Sequence, residues 1–260
     1  MNETVVVESR AGVATVTLQR PDAYNAFDLA MMERFANAMV SLGGDEAVRA
    51  VVVTGAGRAF CAGGDLRWAT SFAGGAPAAF HTLAAAFHVA IGEIRRMPKP
   101  VIAAINGVAA GGGFSLALAC DFRIMASSAS LRQAYTSSGL CLDGGGTFTL
   151  PRLVGFARAL EIAALDPTID ASQALSAGLT HRVVPDGESL ASAQAFAAEL
   201  AHRSVHAFGV CKALMTDSYD TTLEAQLERE RAALSRCAAH PEGVEGLAAF
   251  VAKRKPRFGD

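Results

Sequence analysis

The chain has 260 residues, 51% of them hydrophobic and 18% charged, with a formal net charge of −2. That is enough apolar material for a sizeable core with some left over for contacts between subunits. The near-neutral balance argues against a protein built around nucleic acid or an anionic membrane surface.

Five cysteines (Cys61, Cys120, Cys141, Cys211 and Cys237) are widely spaced and form no CxxC or Cys/His cluster. Neither a disulfide framework nor a metal site is expected, and a reducing, cytoplasmic compartment is the simplest setting. The start, MNETVVVESR, has no basic stretch leading into an apolar run, so no signal peptide is expected. The run VIAAINGVAAGGGFSLALAC is broken by Asn and four glycines and suits a strand, a turn and a helix better than a membrane span.

In chain order, residues 3–21 (ETVVVESRAGVATVTLQRP) predict two strands joined by a turn at Ala11-Gly12. Residues 27–44 have helical apolar spacing and end at a glycine pair. AVVVTGAG (50–57) predicts a short buried strand running into glycines, and residues 69–78, rich in Ala and Gly, predict a loose stretch. A helix over 78–98 stops at Pro98, followed by the strand PVIAAI, the loop NGVAAGGG, the helix FSLALAC and the strand DFRIMA. From about Gly155 onward the chain reads as nearly all helix, with one short strand at HRVV. The alternation indicates a layered or coiled α/β core over residues 1–200 and a helical region over 201–260, with no low-complexity linker between them.

Two loops carry the chemistry. TGAGRAFCAGGDL (54–66) and NGVAAGGGFSL (106–116) each follow an apolar strand and end where a helix can begin. Successive glycines bare the backbone N–H groups, and a helix N-terminus adds partial positive charge. Two such loops side by side can aim two amides at one oxygen, which is an oxyanion hole; the plain alternative is that the glycines only make tight turns. GAGRAF is not a dinucleotide fingerprint, since Phe60 stands where the third glycine belongs and no acidic residue follows at the required distance. Ser115 is not in a GxSxG elbow, which argues against a serine hydrolase.

The segments RPDAYNAFD, AVVVTGAGRAFCAGGDL, KPVIAAINGVAAGGGFSLALACDFRI, GGGTFTLPRLVGFARALEIAA, ALSAGLTHRVV and GVEGLAAFVAKRKPRF together resemble the enoyl-CoA hydratase/isomerase family, also called the crotonase family, over nearly the whole chain. The resemblance implies an α/β fold, a crotonase-type spiral of ββα turns with a C-terminal helical trimerisation region, and trimers that stack into hexamers. The assembly it implies is either a homotrimer or a hexamer of stacked trimers, and the partner and substrate it implies is an acyl-CoA thioester, with coenzyme A part of the substrate and no separate cofactor. The thioester oxygen would sit between the amides of Gly64 and Gly112. Asn25, Ala26, Ala62, Gly63, Asp65, Leu66, Gly111 and Leu142 would border the substrate, and Phe250 and Lys253 would reach the nucleotide end of coenzyme A, often across a subunit boundary.

The departures from the pattern matter as much. Hydratases of the family carry two glutamates that share a water, and by position these are Ser115 and Tyr135 here. Neither is a carboxylate. Asp143 is the only charged side chain between Arg132 and Arg152, at a position where several members place a working aspartate. The closest motifs are those of members that isomerise 1,2-epoxyphenylacetyl-CoA or enoyl-CoA. In the 4-chlorobenzoyl-CoA dehalogenases the aspartate is a nucleophile, and His88 falls where those enzymes have a functional histidine.

The expected activity is double-bond isomerisation of an enoyl-CoA through a thioester enolate, with Asp143 as base, strengthened by burial among Leu140, Cys141 and Leu142. The alternatives are hydration in the broad sense, dehalogenase-like chemistry, or a non-catalytic binder of acyl-CoA or RNA. For Asp143 the structural alternative is a cap on the helix starting near Gly145; for His88 it is an ordinary helix histidine.

Overall fold

The computed structural model describes residues 3–259; residues 1, 2 and 260, the outermost ends of the expected core and helical regions, lie outside it. The chain opens with β1 (Val5–Arg10) and β2 (Val13–Leu18), an antiparallel hairpin, followed by α1 (Leu29–Gly44). It then repeats a unit. One strand joins the main sheet, a shorter one leaves it, and helix follows: β3 (Ala50–Gly55), β4 (Ala59–Cys61), α2 (Leu66–Ser71) and α3 (Gly75–Arg96); β5 (Val101–Ile105), β6 (Val108–Ala110) and α4 (Gly112–Ala119); β7 (Phe122–Ala126), β8 (Ser130–Arg132), α5 (Gly146–Val154) and α6 (Phe156–Leu165). After β9 (Ile169–Asp170), α7 (Ala171–Ser176) and β10 (Arg182–Val184) come the helices α8 (Ser189–Ala201), α9 (Val205–Asp217), α10 (Leu223–Ala239) and α11 (Pro241–Val251).

The consequence is two sheets. The larger has the order β1-β2-β3-β5-β7-β10 and is parallel from β2 onward; the smaller has the order β4-β6-β8-β9. Both faces of the larger sheet are covered, which is why β5 and the first four residues of β3 are unbroken Val, Ile and Ala runs rather than alternating ones. Val51, Val53, Val101, Ala103 and Ile105 face the main core with α1, α3 and α4. Val52, Ile102, Ala104 and Ile124 face α8. Ala193, Ala197 and Ala201, spaced i, i+4 and i+8, line that helix with small side chains and let it lie close on the strands.

The structure corrects two expectations. The stretch 69–78 is not loose: α2 runs to Ser71 and α3 starts at Gly75, separated by the three residues 72–74, of which Gly74 has φ +93°, a conformation glycine adopts without strain. The second sheet, with strands of two or three residues, lies within the glycine loops and the connections after them, where the sequence pattern predicts no strand. Among the described residues no helix is long and apolar enough to cross a membrane.

Candidate active site

The two glycine loops meet. A Cβ on Gly63, at φ +93°, would stand 2.8 Å from Gly112 N and 2.9 Å from Ala110 O. One on Gly113 would lie 2.0 Å from Cys61 O. Only glycine permits this approach, and it follows from the pairing of β4 with β6, which lays the loops side by side. Gly112 is the first residue of α4, where an N–H has no intrahelical partner; the first turn closes with Ser115 N–H donating to Gly111 O. Gly64 N–H likewise donates to no backbone or side-chain acceptor among the described residues, while its neighbours are engaged: Phe27 N–H donates to Gly63 O and Asp65 N–H to Phe27 O. Two unpartnered amides on touching loops, one at a helix N-terminus, form a site for a developing oxyanion.

The loops are held from outside by the segment before α1. Asn25 is fully buried, and its amide donates to the carbonyls of Ala56 (2.9 Å) and Ala59 (2.8 Å) while its oxygen accepts Arg20 N–H. The Asn25 side chain therefore ties down the first loop. Ala26 is buried beside it, and its carbonyl accepts from Arg20 at 2.6 Å. Asp65 is likewise occupied. It caps α2 by accepting Arg67 and Trp68 N–H and pairs with Arg20 at 3.0 Å. Its partial burial alone would raise its pKa, but the Trp68 amide and the Arg20 guanidinium outweigh that and hold the carboxyl below the usual range. Cys61, under the loop, has its thiol pushed up to about 12 by burial, with Gly63 N–H pulling the other way, so it stays protonated and inert.

The third wall is the loop before α5. Asp143 does not cap that helix, whose N-cap is Gly145 with no side-chain bond. Its Oδ1 lies 2.6 Å from His88 Nε2 on α3. Nor is it buried among apolar neighbours: in the single chain its side chain is 36% exposed and that of His88 57%, because Leu140 and Cys141 point outward. What holds the carboxylate is the imidazole, and what brings them together is glycine. A Cβ on Gly144, at φ +60°, would fall 2.2 Å from the ring of Phe87, the residue before His88. One on Gly146 would lie 2.9 Å from Ser115 Oγ and 3.3 Å from Leu142 Cδ2. The Asp143 loop is thus pressed between α3 and α4, next to the helix that presents Gly112.

Ser115 and Tyr135 meet at the same place. Ser115 is fully buried. The Tyr135 hydroxyl faces the Ser115 hydroxyl and the Asp143 backbone amide; burial raises its pKa well above the ordinary tyrosine value, the Asp143 carboxylate adds to this, and it remains protonated. The backbone at this corner is constrained. Ala134 has φ +52°, and its N–H donates to Asp166 Oδ1 at 2.8 Å, with Arg132 paired to Asp166 at 3.0 Å.

Of the other expected residues, Ala62 lies in the first glycine loop with its carbonyl toward Gly111 and its N–H donating to Tyr24 O, and Leu66 is exposed at the start of α2. Phe250, 84% exposed, and Lys253 sit on and just after α11 and are not assembled with the amides in the single chain. Sequence reasoning missed Phe80 and Leu83, which face Gly64 from α3, and Asp166, which supports Ala134. The apolar spacing of Phe80, Leu83, Phe87 and Ile91 on one helix was the available signal. Among the described residues no group of three His, Cys, Asp or Glu is placed to hold a metal ion.

A two-sheet α/β spiral thus brings together two glycine loops with unpartnered amides and, beside α4, the loop that carries Asp143. The comparisons with known proteins make the class specific. The model of the enoyl-CoA hydratase/isomerase family matches residues 8–260. The chain is 37% identical over 259 residues, 99% of each protein, to the 1,2-epoxyphenylacetyl-CoA isomerase of Escherichia coli (strain K12). It is 33% identical over 254 residues, 96% of this chain and 91% of the relative, to 4-chlorobenzoyl coenzyme A dehalogenase-2 of Arthrobacter sp. The crystal structure of an enoyl-CoA hydratase from Polaromonas sp. JS666 matches with a TM-score of 0.92 at 36% identity, covering 97% of this chain and 98% of that one. The chain belongs to the enoyl-CoA hydratase/isomerase family, and its fold is that of the crotonase-type structures.

Proposed function

We propose that the protein is an acyl-CoA isomerase that shifts a double bond by proton transfer through a thioester enolate. Gly64 and Gly112 N–H groups take the charge on the thioester oxygen as it develops. The Asp143 carboxylate accepts a proton from the α-carbon, the double bond moves, and the same carboxyl returns a proton to the γ-carbon. One carboxyl suffices for this 1,3 shift, whereas adding water across an alkene usually uses a second group. No metal or redox group takes part, and coenzyme A belongs to the substrate.

The observation that carries the proposal is that Asp143 is the one carboxylate here not consumed by a cap or an arginine. Asp65 is held by both, and the two positions where hydratases keep glutamates are hydroxyls. The relative named as 1,2-epoxyphenylacetyl-CoA isomerase supports isomerisation.

Asp143→Asn keeps the shape and removes the basic site, and should lower turnover by roughly two to four orders of magnitude. Wild type should exchange an α- or γ-proton of a 3-enoyl-CoA with deuterated solvent and the variant should not. Near-normal turnover in the variant, or brisk hydration of crotonyl-CoA by wild type with no double-bond movement, refutes the proposal.

The 2.6 Å His88–Asp143 contact favours one other route, in which the Asp143 carboxylate attacks the ring carbon of an aromatic acyl-CoA that bears a halide, the halide departs and an aryl ester forms on Asp143, and His88 activates the water that hydrolyses this ester to the hydroxylated product and the free carboxylate. An ester trapped on Asp143 and seen by mass spectrometry decides for it. In either case we place Phe250 and Lys253 at the nucleotide end of a coenzyme A bound to a neighbouring subunit of a trimer or hexamer assembled through the region from residue 201. The exposed Leu223, Leu227 and Leu234 on α10 support that assembly.

A further inference from the structure

The geometry points to a second binding site, apart from the oxyanion hole: the cavity where α3, α5 and α9 meet the C-terminal end of α4 binds a small phosphate-type oxyanion between the guanidiniums of Arg95 and Arg152. The site is independent of the reaction at Asp143 and stands whatever that reaction is.

The cavity has a volume of about 220 Å³. Arg95 lines it from α3, Thr149 and Arg152 from α5, Thr216 from α9, and Asp121 and Arg123 from the start of β7. The eight residues of α4, about 12 Å of helix, separate it from the Gly112 amide at the other end.

Unused donors single this cavity out. Arg95 donates no hydrogen bond and enters no ion pair among the described residues, and its guanidinium lies 4.9 Å from the centre of the Phe148 ring. Arg152 stacks on the same ring at 3.4 Å and on Tyr219 at 4.6 Å. Its Nη1 donates to Phe148 O at 2.9 Å, but its Nε is buried with no partner. Most buried polar groups in folded proteins are paired, so an orphan of this kind calls for an acceptor. Stacking occupies the face of a guanidinium and leaves the N–H donors along its edge, the geometry that takes two oxygens of one anion.

The protein's own carboxylates do not answer these charges. Three arginines line the cavity against Asp121 alone. Asp121 Oδ2 is already held by Lys212 Nζ at 2.7 Å and Val101 N–H at 2.9 Å. Asp217 is near Arg95 but exposed, and it joins no ion pair among the described residues. Arg123 is spent on the carbonyls of Leu179 and Cys120. Two guanidiniums against one ring repel each other, and an anion between them turns that repulsion into attraction. The volume is below the roughly 300–1,000 Å³ of sites for larger organic ligands, which suits a free oxyanion and not a nucleotide.

Inorganic phosphate, titrated calorimetrically at constant ionic strength, tests this. Wild type should bind a single phosphate per chain with a Kd of roughly 10 mM or tighter, and Arg95→Gln and Arg152→Gln should each weaken it by roughly ten- to a hundredfold. Arg95 makes no hydrogen bond in the fold, so Arg95→Gln should melt as wild type does in the absence of phosphate, and it decides the outcome if Arg152→Gln fails to fold. Phosphate should raise the melting temperature of wild type more than that of Arg95→Gln, because the general salt effect is common to both and only a ligand held by the folded state adds to it. No saturable binding by wild type at roughly 10 mM, or an unchanged affinity in Arg95→Gln, overturns the inference. Binding that survives in Arg95→Gln and falls in Lys253→Gln puts the anion at the C-terminal tail and overturns it as well.

Discussion

Gly112 allows the oxyanion hole to be tested with the packing held apart from the chemistry. Its N–H is the first of α4 and donates to no acceptor among the described residues, so removing it costs none of their hydrogen bonds. A Cβ there meets two Phe27 ring carbons at 3.5 Å and Gly63 Cα at 3.6 Å, ordinary van der Waals contacts. Gly112→Ala therefore keeps the amide and adds a tolerated methyl, and should change stability by less than about 1 kcal/mol. Gly112→Pro adds the same Cβ together with the ring carbons Cγ and Cδ, at a helix position proline accepts, and replaces the N–H by an N–Cδ bond. Losing one oxyanion donor costs about 3 kcal/mol of transition-state stabilisation, roughly 10²–10³ in kcat. Turnover of a 3-enoyl-CoA, followed as formation of the conjugated 2-enoyl thioester, should fall by that factor in the proline variant and stay within a few-fold of wild type in the alanine variant. Circular dichroism and a melting curve must show both folded. A folded Gly112→Pro protein retaining a third or more of wild-type turnover would falsify the assignment, and equal losses in the two variants would trace the effect to packing instead.

Gly63→Ala should be worse on both counts: its Cβ is driven to 2.8 Å from Gly112 N, and a left-handed φ of +93° adds about 1–2 kcal/mol of strain, so the melting temperature and kcat/KM should drop together. His181 is held at about 4, chiefly by burial and also by the Arg123 and Arg182 charges, against an ordinary 6.5, and His206 is also lowered. Because the folded state resists a proton that the unfolded chain accepts, stability should be intact above pH 6.5 and decline as the pH falls toward 4. In His181→Asn, whose side-chain oxygen can still accept the Arg123 N–H that now meets Nδ1 at 3.1 Å, a plot of melting temperature against pH should decline less steeply; an unchanged slope counts against the assignment. Sedimentation at micromolar concentration should show three or six copies of the chain, given the apolar stripe of Leu223, Leu227 and Leu234 on α10, and a monodisperse monomer refutes this.

Much of this protein is legible in one dimension. The central strands β3 and β5 of the larger sheet carry continuous apolar runs, Ala50–Val53 leading to Gly55 and Val101–Ile105 following Pro100, and such runs report burial on both faces whatever they pair with. The two glycine loops are equally plain, because successive glycines advertise bare amides wherever they fall. Asp143 stands out as the lone charge across a long uncharged stretch. What the sequence could not decide is whatever depends on two distant segments touching. The smaller sheet has strands of two or three residues, too short for any periodicity to register, and they exist because each turn of the spiral lays its loop against the previous one. Asn25 reads along the chain as a candidate ligand contact; only folding shows its amide spent on the carbonyls of Ala56 and Ala59. His88 and Asp143 are 55 positions apart, and their 2.6 Å contact exists because Gly144 lets the loop close over Phe87. Local backbone preference and burial are written residue by residue, whereas the pairing of side chains across a site is set by the packing of whole turns, and only the tertiary structure carries that.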